Sequence, residues 1–184
     1  MSSHKVFRFP SRTSINDIQL FEEEIPSITK HEVLIRVKNV SLNYFDLATA
    51  NGTKLVNIKD NVVPCSDLAG EIAGVGTAVT DFAKGDPVVA SYDIAQMYGG
   101  RKNWNTVFAT AIDGTLRQYL ALPAISVVKI PQPNSLSMAQ WSCVPCVGVT
   151  AWNALFGDSQ FKPGQTVLFQ GKLLLQDCKS CWNY

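Results

Sequence analysis

No stretch of this 184-residue chain approaches the ~20 consecutive apolar residues that a membrane-spanning helix requires. A membrane is therefore not an expected partner. Charge of one sign is equally scarce: 16 Lys and Arg stand against 15 Asp and Glu, for a formal net charge of +1, and no basic block appears. Nucleic acid and anionic surfaces are poor partners for such a chain. Residues 1–9 carry basic side chains but lack the apolar run of a secretory signal. Five cysteines is an odd number, and without a secretory signal it favours a reducing setting, so a cytoplasmic location is expected. There is no internal repeat and no low-complexity segment. What the chain has in quantity is core material: 46% hydrophobic against 17% charged residues describes a globular fold.

Most of that material is arranged as short strands. Residues 6–9 and 18–24 read as strands, and 32–40 is the clearest. There Val33, Ile35 and Val37 alternate with Glu32, Arg36 and Lys38, broken only by Leu34. Residues 43–50 read as a short helix stopped by Asn51-Gly52. Residues 69–75 form a small, apolar strand whose Gly70 and Gly74 imply bulges or close backbone approach. A turn at 82–87 feeds a strand at 88–92, and strands resume at 115–122 and 127–130. Between them, residues 92–113 lose periodicity and are expected to be the least ordered part of this region. Frequent turns between short strands suggest a small, closed or partly open barrel. Pro131-Gln132-Pro133-Asn134 reads as a hinge. Ser137 and Gln140 form a capping box that should start a helix, which Pro145 should break or kink. Residues 147–156 read as a second helix stopped by Gly157, and 166–170 as a buried strand after Pro163-Gly164.

Two constellations could carry chemistry. Cys143-x-x-Cys146 with Cys178-x-x-Cys181 could offer four thiolates to a zinc. The 147–177 segment between them exceeds the usual ribbon spacing of about 15–20 residues, and it holds a helix and a strand where a ribbon has a hairpin. Two core cysteines and two incidental ones are the simpler reading. A redox dithiol at Cys143 and Cys146 needs its first cysteine at a helix N-terminus, and the capping box starts the helix six residues earlier. His4 and His31 are expected at the surface, outside any Ser/His/Asp arrangement, and Glu22-Glu23-Glu24 as a solvated strand end. No pair of carboxylates has a persuasive setting.

The segments EVLIRVKNVSLNYFDLATANG, VVPCSDLAGEIAGVGTAVTDFAKGDPVVA, DGTLRQYLALP and LSMAQWSCVPCVGVTAWNALF, in that order, resemble medium-chain dehydrogenases/reductases. The resemblance runs from about residue 6 to 171, and is nearest the quinone-oxidoreductase-like, alcohol-dehydrogenase-like branch. It implies a mainly β fold with short helices: a GroES-like N-terminal barrel over residues 5–130, then linker helices and the first helix and strand of an incomplete Rossmann domain over 131–184. Zinc members carry a cysteine after the third strand, a histidine in a Gly-His-Glu motif and a distal cysteine. Those positions hold Asn43, Ser66 and Cys146 here, and one thiolate cannot replace three ligands. The resemblance thus implies a zinc-independent reductase of small conjugated carbonyl or quinone-like substrates, with NADPH as the carrier of the chemistry. It places Asn43, Tyr44 and Thr150 at the nicotinamide side and Gly171 at the start of the pyrophosphate turn. Asn43 could equally cap the following helix, and Thr150 could pack at a helix interface.

After Gly171 the family would continue with further glycines and a helix N-terminus to hold the pyrophosphate. Residues 172–184 supply neither. The expectation is a truncated and inactive form, whose exposed domain interface invites self-association. The alternative is a non-catalytic GroES-like binding module.

Overall fold

The structure is a computed structural model that describes residues 2–53, 56–96, 98–99, 103–157 and 161–167. Its elements follow in chain order. Strands β1 (Ser3–Arg8), β2 (Gln19–Glu24) and β3 (Glu32–Ser41) precede helix α1 (Tyr44–Ala50). Strands β4 (Asp67–Val75), β5 (Pro87–Ala90), β6 (Tyr119–Pro123) and β7 (Val127–Lys129) follow, then helices α2 (Met138–Trp141) and α3 (Val149–Phe156). The chain divides into two compact units, Met1–Val147 and Gly148–Tyr184.

The first unit is mostly strand. Its main sheet has five antiparallel strands in the order β6-β3-β4-β5-β7, curled as a half-barrel, and β1 pairs with β2 in a separate ribbon. The alternation in β3 does what a half-buried strand requires: Val33 and Ile35 are sealed in the core with Leu68, Ile72, Val88, Phe108, Leu120 and Leu122. Register shifts at Leu34/Ile35 and Val37/Asn39 bend β3 against β4, as bulges do. Gly70 of β4 is required there: a Cβ on it would lie 2.5 Å from the Arg36 carbonyl oxygen and 2.8 Å from Ile35 Cγ2. Gly114 faces the same restriction against the Cys65, Pro64 and Val63 carbonyls, and its N–H donates to Val63 O at 2.7 Å.

The capping box before α2 is present, with Ser137 Oγ accepting from the Gln140 N–H and Gln140 Oε1 accepting from the Ser137 N–H. Past it, Val144–Gly148 winds as a π-helix around Pro145. That is the local widening a proline imposes when its missing N–H breaks the ladder. In the second unit, α3 carries Trp152 against Phe156 with ring centroids 4.7 Å apart.

Two expectations require correction. His4 is buried at 3% exposure, because it shares the inward face of β1 with Val6 and Arg8. Its Nδ1 accepts from the Tyr119 N–H at 3.1 Å, and burial pushes its pKa down, reinforced by Arg117 and opposed by Glu23. Glu23 is no solvated strand end: it takes Arg8 Nε at 2.5 Å and Nη2 at 3.1 Å. Within the 92–113 segment, the described residues include a packed stretch. Val107, Phe108, Ala109 and Thr110 are buried, Asp93 bridges Val107, and Phe108 belongs to the main core. Over residues 103–112 the chain packs as irregular turns, which have no period.

Candidate functional site

The chemistry of the first unit gathers where β3 ends, α1 begins and β4 begins. Ser41 is the last residue of β3 and pairs with Asp67, the first of β4. Two residues on, Asn43 is the N-cap of α1, in an extended conformation as N-caps are. Asp46, at the third helical position, accepts from the Asn43 N–H at 2.8 Å through Oδ2 and from the Cys65 N–H at 3.0 Å through Oδ1. Cys65 adopts φ +70°, a left-handed conformation that costs a residue with a Cβ, and the Asp46 hydrogen bond holds it there. The result is a turn that delivers Ser66 and Asp67 back toward the α1 N-terminus.

Asp67 is fully buried. Its Oδ2 accepts from Asn43 Nδ2 at 2.8 Å and lies 3.1 Å from Ser41 Oγ, while Oδ1 has no hydrogen-bond partner. No Lys or Arg pairs with it among the described residues. Burial pushes its pKa up to about 6, against the hydrogen bonds from Asn43 and Ser41, with the Asp46 charge adding to the rise. The Cys146 N–H adds a smaller stabilisation of the charge without completing a hydrogen bond to Oδ1. Asp46 is also raised, by burial first, with the Asn43 and Cys65 N–H groups opposing. The Cys65 thiol, buried beside both carboxyls, is pushed far up and kept neutral. Ser41 Oγ faces two acceptors, Asp67 Oδ2 and Ser142 O, both at 3.1 Å. A hydroxyl has one hydrogen to give. A proton on Asp67 would let the carboxyl donate to Ser41 while Ser41 donates to Ser142 O, and both contacts would then be satisfied.

The expected cofactor residues fall as follows. Asn43 is half-buried at the helix N-terminus, its amide bound to Asp67. Tyr44 beside it is 71% exposed. Thr150 lies in α3, exposed, in the second unit. Gly171, Cys178, Cys181 and the tail lie outside the described residues. Ser66 is half-buried, and Cys146 sits in the π-helix. Among the described residues no group of three or more His, Cys, Asp or Glu side chains converges as a metal site. The Asp46 and Asp67 pair escaped sequence reasoning, although the spacing Asn43-x-x-Asp46 is itself a capping signal that could have pointed to it.

A curled antiparallel half-barrel with a capped helix inserted between its third and fourth strands defines a GroES-like unit of the dehydrogenase type. Residues 29–132 match the alcohol dehydrogenase GroES-like domain, and the chain belongs to the medium-chain dehydrogenase/reductase family. Among its relatives, a zinc-type alcohol dehydrogenase-like protein of Schizosaccharomyces pombe is 39% identical over 155 residues, covering 82% of this chain and 44% of the relative. The chloroplastic quinone-oxidoreductase QR1 of Triphysaria versicolor is 33% identical over 136 residues, covering 73% and 36%. A solved Sinorhizobium meliloti 1021 structure, assigned as an alcohol dehydrogenase, superposes with a TM-score of 0.71 at 31% identity, covering 84% of this chain and 46% of that one. The chain thus spans less than half the length of the relatives it matches. Among the described residues no helix is long and apolar enough to cross a membrane.

Proposed function

We propose that this chain is the substrate-side part of a zinc-independent, NADPH-dependent reductase of small conjugated carbonyl or quinone-like compounds, located in the cytoplasm. Residues 5–130 would form the GroES-like domain and 131–184 the start of the nucleotide-binding one. The observation that carries the reading is the state of Asn43. At the position of the first zinc ligand in zinc members stands an amide whose nitrogen donates to Asp67 at 2.8 Å. An amide is not among the thiolate, imidazole and carboxylate groups that hold zinc in such sites. The second ligand position offers the Ser66 hydroxyl, and the third a single thiol, Cys146. This donor set does not fit a catalytic zinc.

It does fit the polar edge of a nicotinamide and a carbonyl substrate. NADPH, when bound, supplies the hydride. Asn43 would hold the substrate carbonyl oxygen with its unspent N–H, the role that a metal takes as Lewis acid elsewhere. The family resemblance would also give Tyr44, and separately Thr150, a role toward the nicotinamide and Gly171 one at the pyrophosphate. Exposed Leu42 and Leu47 flank Asn43 with apolar surface for the body of a small substrate.

A domain exchange tests this. Residues 29–132, placed in the Triphysaria quinone-oxidoreductase in place of its matching domain, should give a protein that consumes NADPH with 1,4-benzoquinone and contains no stoichiometric zinc. A folded chimera that binds NADPH and consumes none would overturn the reading. Residues 172–184 contain no glycine, whereas a pyrophosphate-binding turn is built on several. Calorimetry on the 184 residues should show no NADPH binding, and micromolar binding would refute the proposed inactivity.

A further inference from the structure

The Asn43 amide has two N–H donors and one acceptor. One N–H is spent on Asp67 Oδ2 at 2.8 Å, and the second has no partner among the described residues. Asp67 in turn can do little else. It is fully buried, it stands opposite Ser41 in the β3–β4 register, and its backbone carbonyl accepts from the buried Thr115 Oγ1 at 3.0 Å. Its backbone is therefore held by the β3–β4 pairing and by Thr115. Asn43, by contrast, is half-buried at the mouth of a seven-residue helix, between Leu42 at 75% and Tyr44 at 71% exposure. An amide in that place would otherwise turn freely, offering oxygen or nitrogen to an incoming group.

We infer that Asp67 is a positioning residue: its sheet-anchored carboxyl group fixes the Asn43 amide, so that one N–H is consumed inside the protein and the other is presented as a donor to a carbonyl oxygen. Only the identity of that acceptor rests on the reductase reading; the fixing of the amide does not. Isotope-labelled protein should show a hydrogen-bond scalar coupling between Asn43 Nδ2 and the Asp67 carboxyl carbon. Its side-chain NH2 protons should exchange at least about tenfold more slowly than those of the exposed Asn51. Asp67→Asn keeps an acceptor in place and should retain this protection. Asp67→Leu matches the shape without an acceptor and should abolish it, with backbone amide spectra showing the fold intact. Absence of the coupling in the unaltered chain, or protection unchanged in Asp67→Leu, would overturn the inference. Should Asp67→Leu not fold, the coupling and exchange in the unaltered chain decide. Loss of quinone reduction in the chimera with this coupling present would count against the reductase reading alone.

Discussion

A carboxyl group closed off from water, with no cation beside it, holds its proton longer than one at the surface. Asp67 is such a group, with a pKa of about 6 in the fold against an ordinary 3.8. The sign of the effect on stability follows from that rise. The folded state binds the proton more tightly, so the contribution is fully present below about pH 3.8 and is lost as the pH climbs through about 6. A shift of this size corresponds to roughly 3 kcal/mol. Asp46 acts in the same direction. His4 opposes both, because a lowered histidine loses its contribution as pH falls below its ordinary 6.5. The diagnostic quantity is thus a difference between proteins. Asp67→Asn should be more stable than the unaltered chain at pH 7, and the gap should close as pH falls toward 5, read from urea midpoints by tryptophan fluorescence. A gap that does not depend on pH would mean that Asp67 is ionised in both states.

At the scale of elements, one carboxylate ties together parts of the chain that are far apart in sequence. Asp113 takes Arg8 at 3.1 Å, Lys59 at 3.0 Å and the Val63 N–H at 3.1 Å, with Arg117 at 3.7 Å. Burial pushes its pKa up, but the hydrogen bonds from Lys59, Val63 and Arg8 outweigh it and hold it below the usual range. Asp113→Ala leaves the guanidinium groups of Arg8 and Arg117 under-compensated in a mostly buried site. It should cost about 2 to 3 kcal/mol in urea unfolding, less than a fully dry pair because Lys59 and Asp113 retain some solvent. Glu23→Gln, which leaves Asp113 in place, should cost less. None of this network was legible in the sequence, since Arg8, Glu23, Lys59, Asp113 and Arg117 share no local pattern and meet only through the fold. The strands were legible because burial imposes a period of two, as in β3. So were the stops and caps at Gly52, Ser137 and Gly157, because those depend on neighbours only. His4 was misplaced for the reason that Arg8 was missed: β1 presents polar side chains inward, where residues distant in sequence satisfy them. In the candidate site, Asn43 was visible as a helix start, while its partner Asp67 depends on the β3–β4 register.

At the scale of the whole molecule, the chain spans less than half of its relatives, and three of its exposed apolar residues lie together at the candidate site. Leu42, Tyr44 and Leu47 are 75%, 71% and 49% exposed on one short helix and its approach. Phe45, between them, turns inward and stacks on Trp104 with rings 6.4 Å apart and 8° from parallel. The helix is thereby pinned to the irregular 104–112 segment and cannot rotate its apolar side chains out of water. Apolar side chains held rigidly in solvent are an association surface, since covering them recovers roughly 25 cal/mol for each Å² removed from water. We therefore expect these 184 residues to associate reversibly, with sedimentation velocity showing a rising average mass between about 5 and 200 µM, a range typical of weak interfaces. The double change Leu42→Ser and Tyr44→Ser should remove most of that rise while leaving the urea midpoint within about 0.5 kcal/mol, because neither side chain contributes to the core. A chain that stays monomeric throughout would show that this surface is too small to associate by itself. Association undiminished in the double variant would place the contact elsewhere on the molecule.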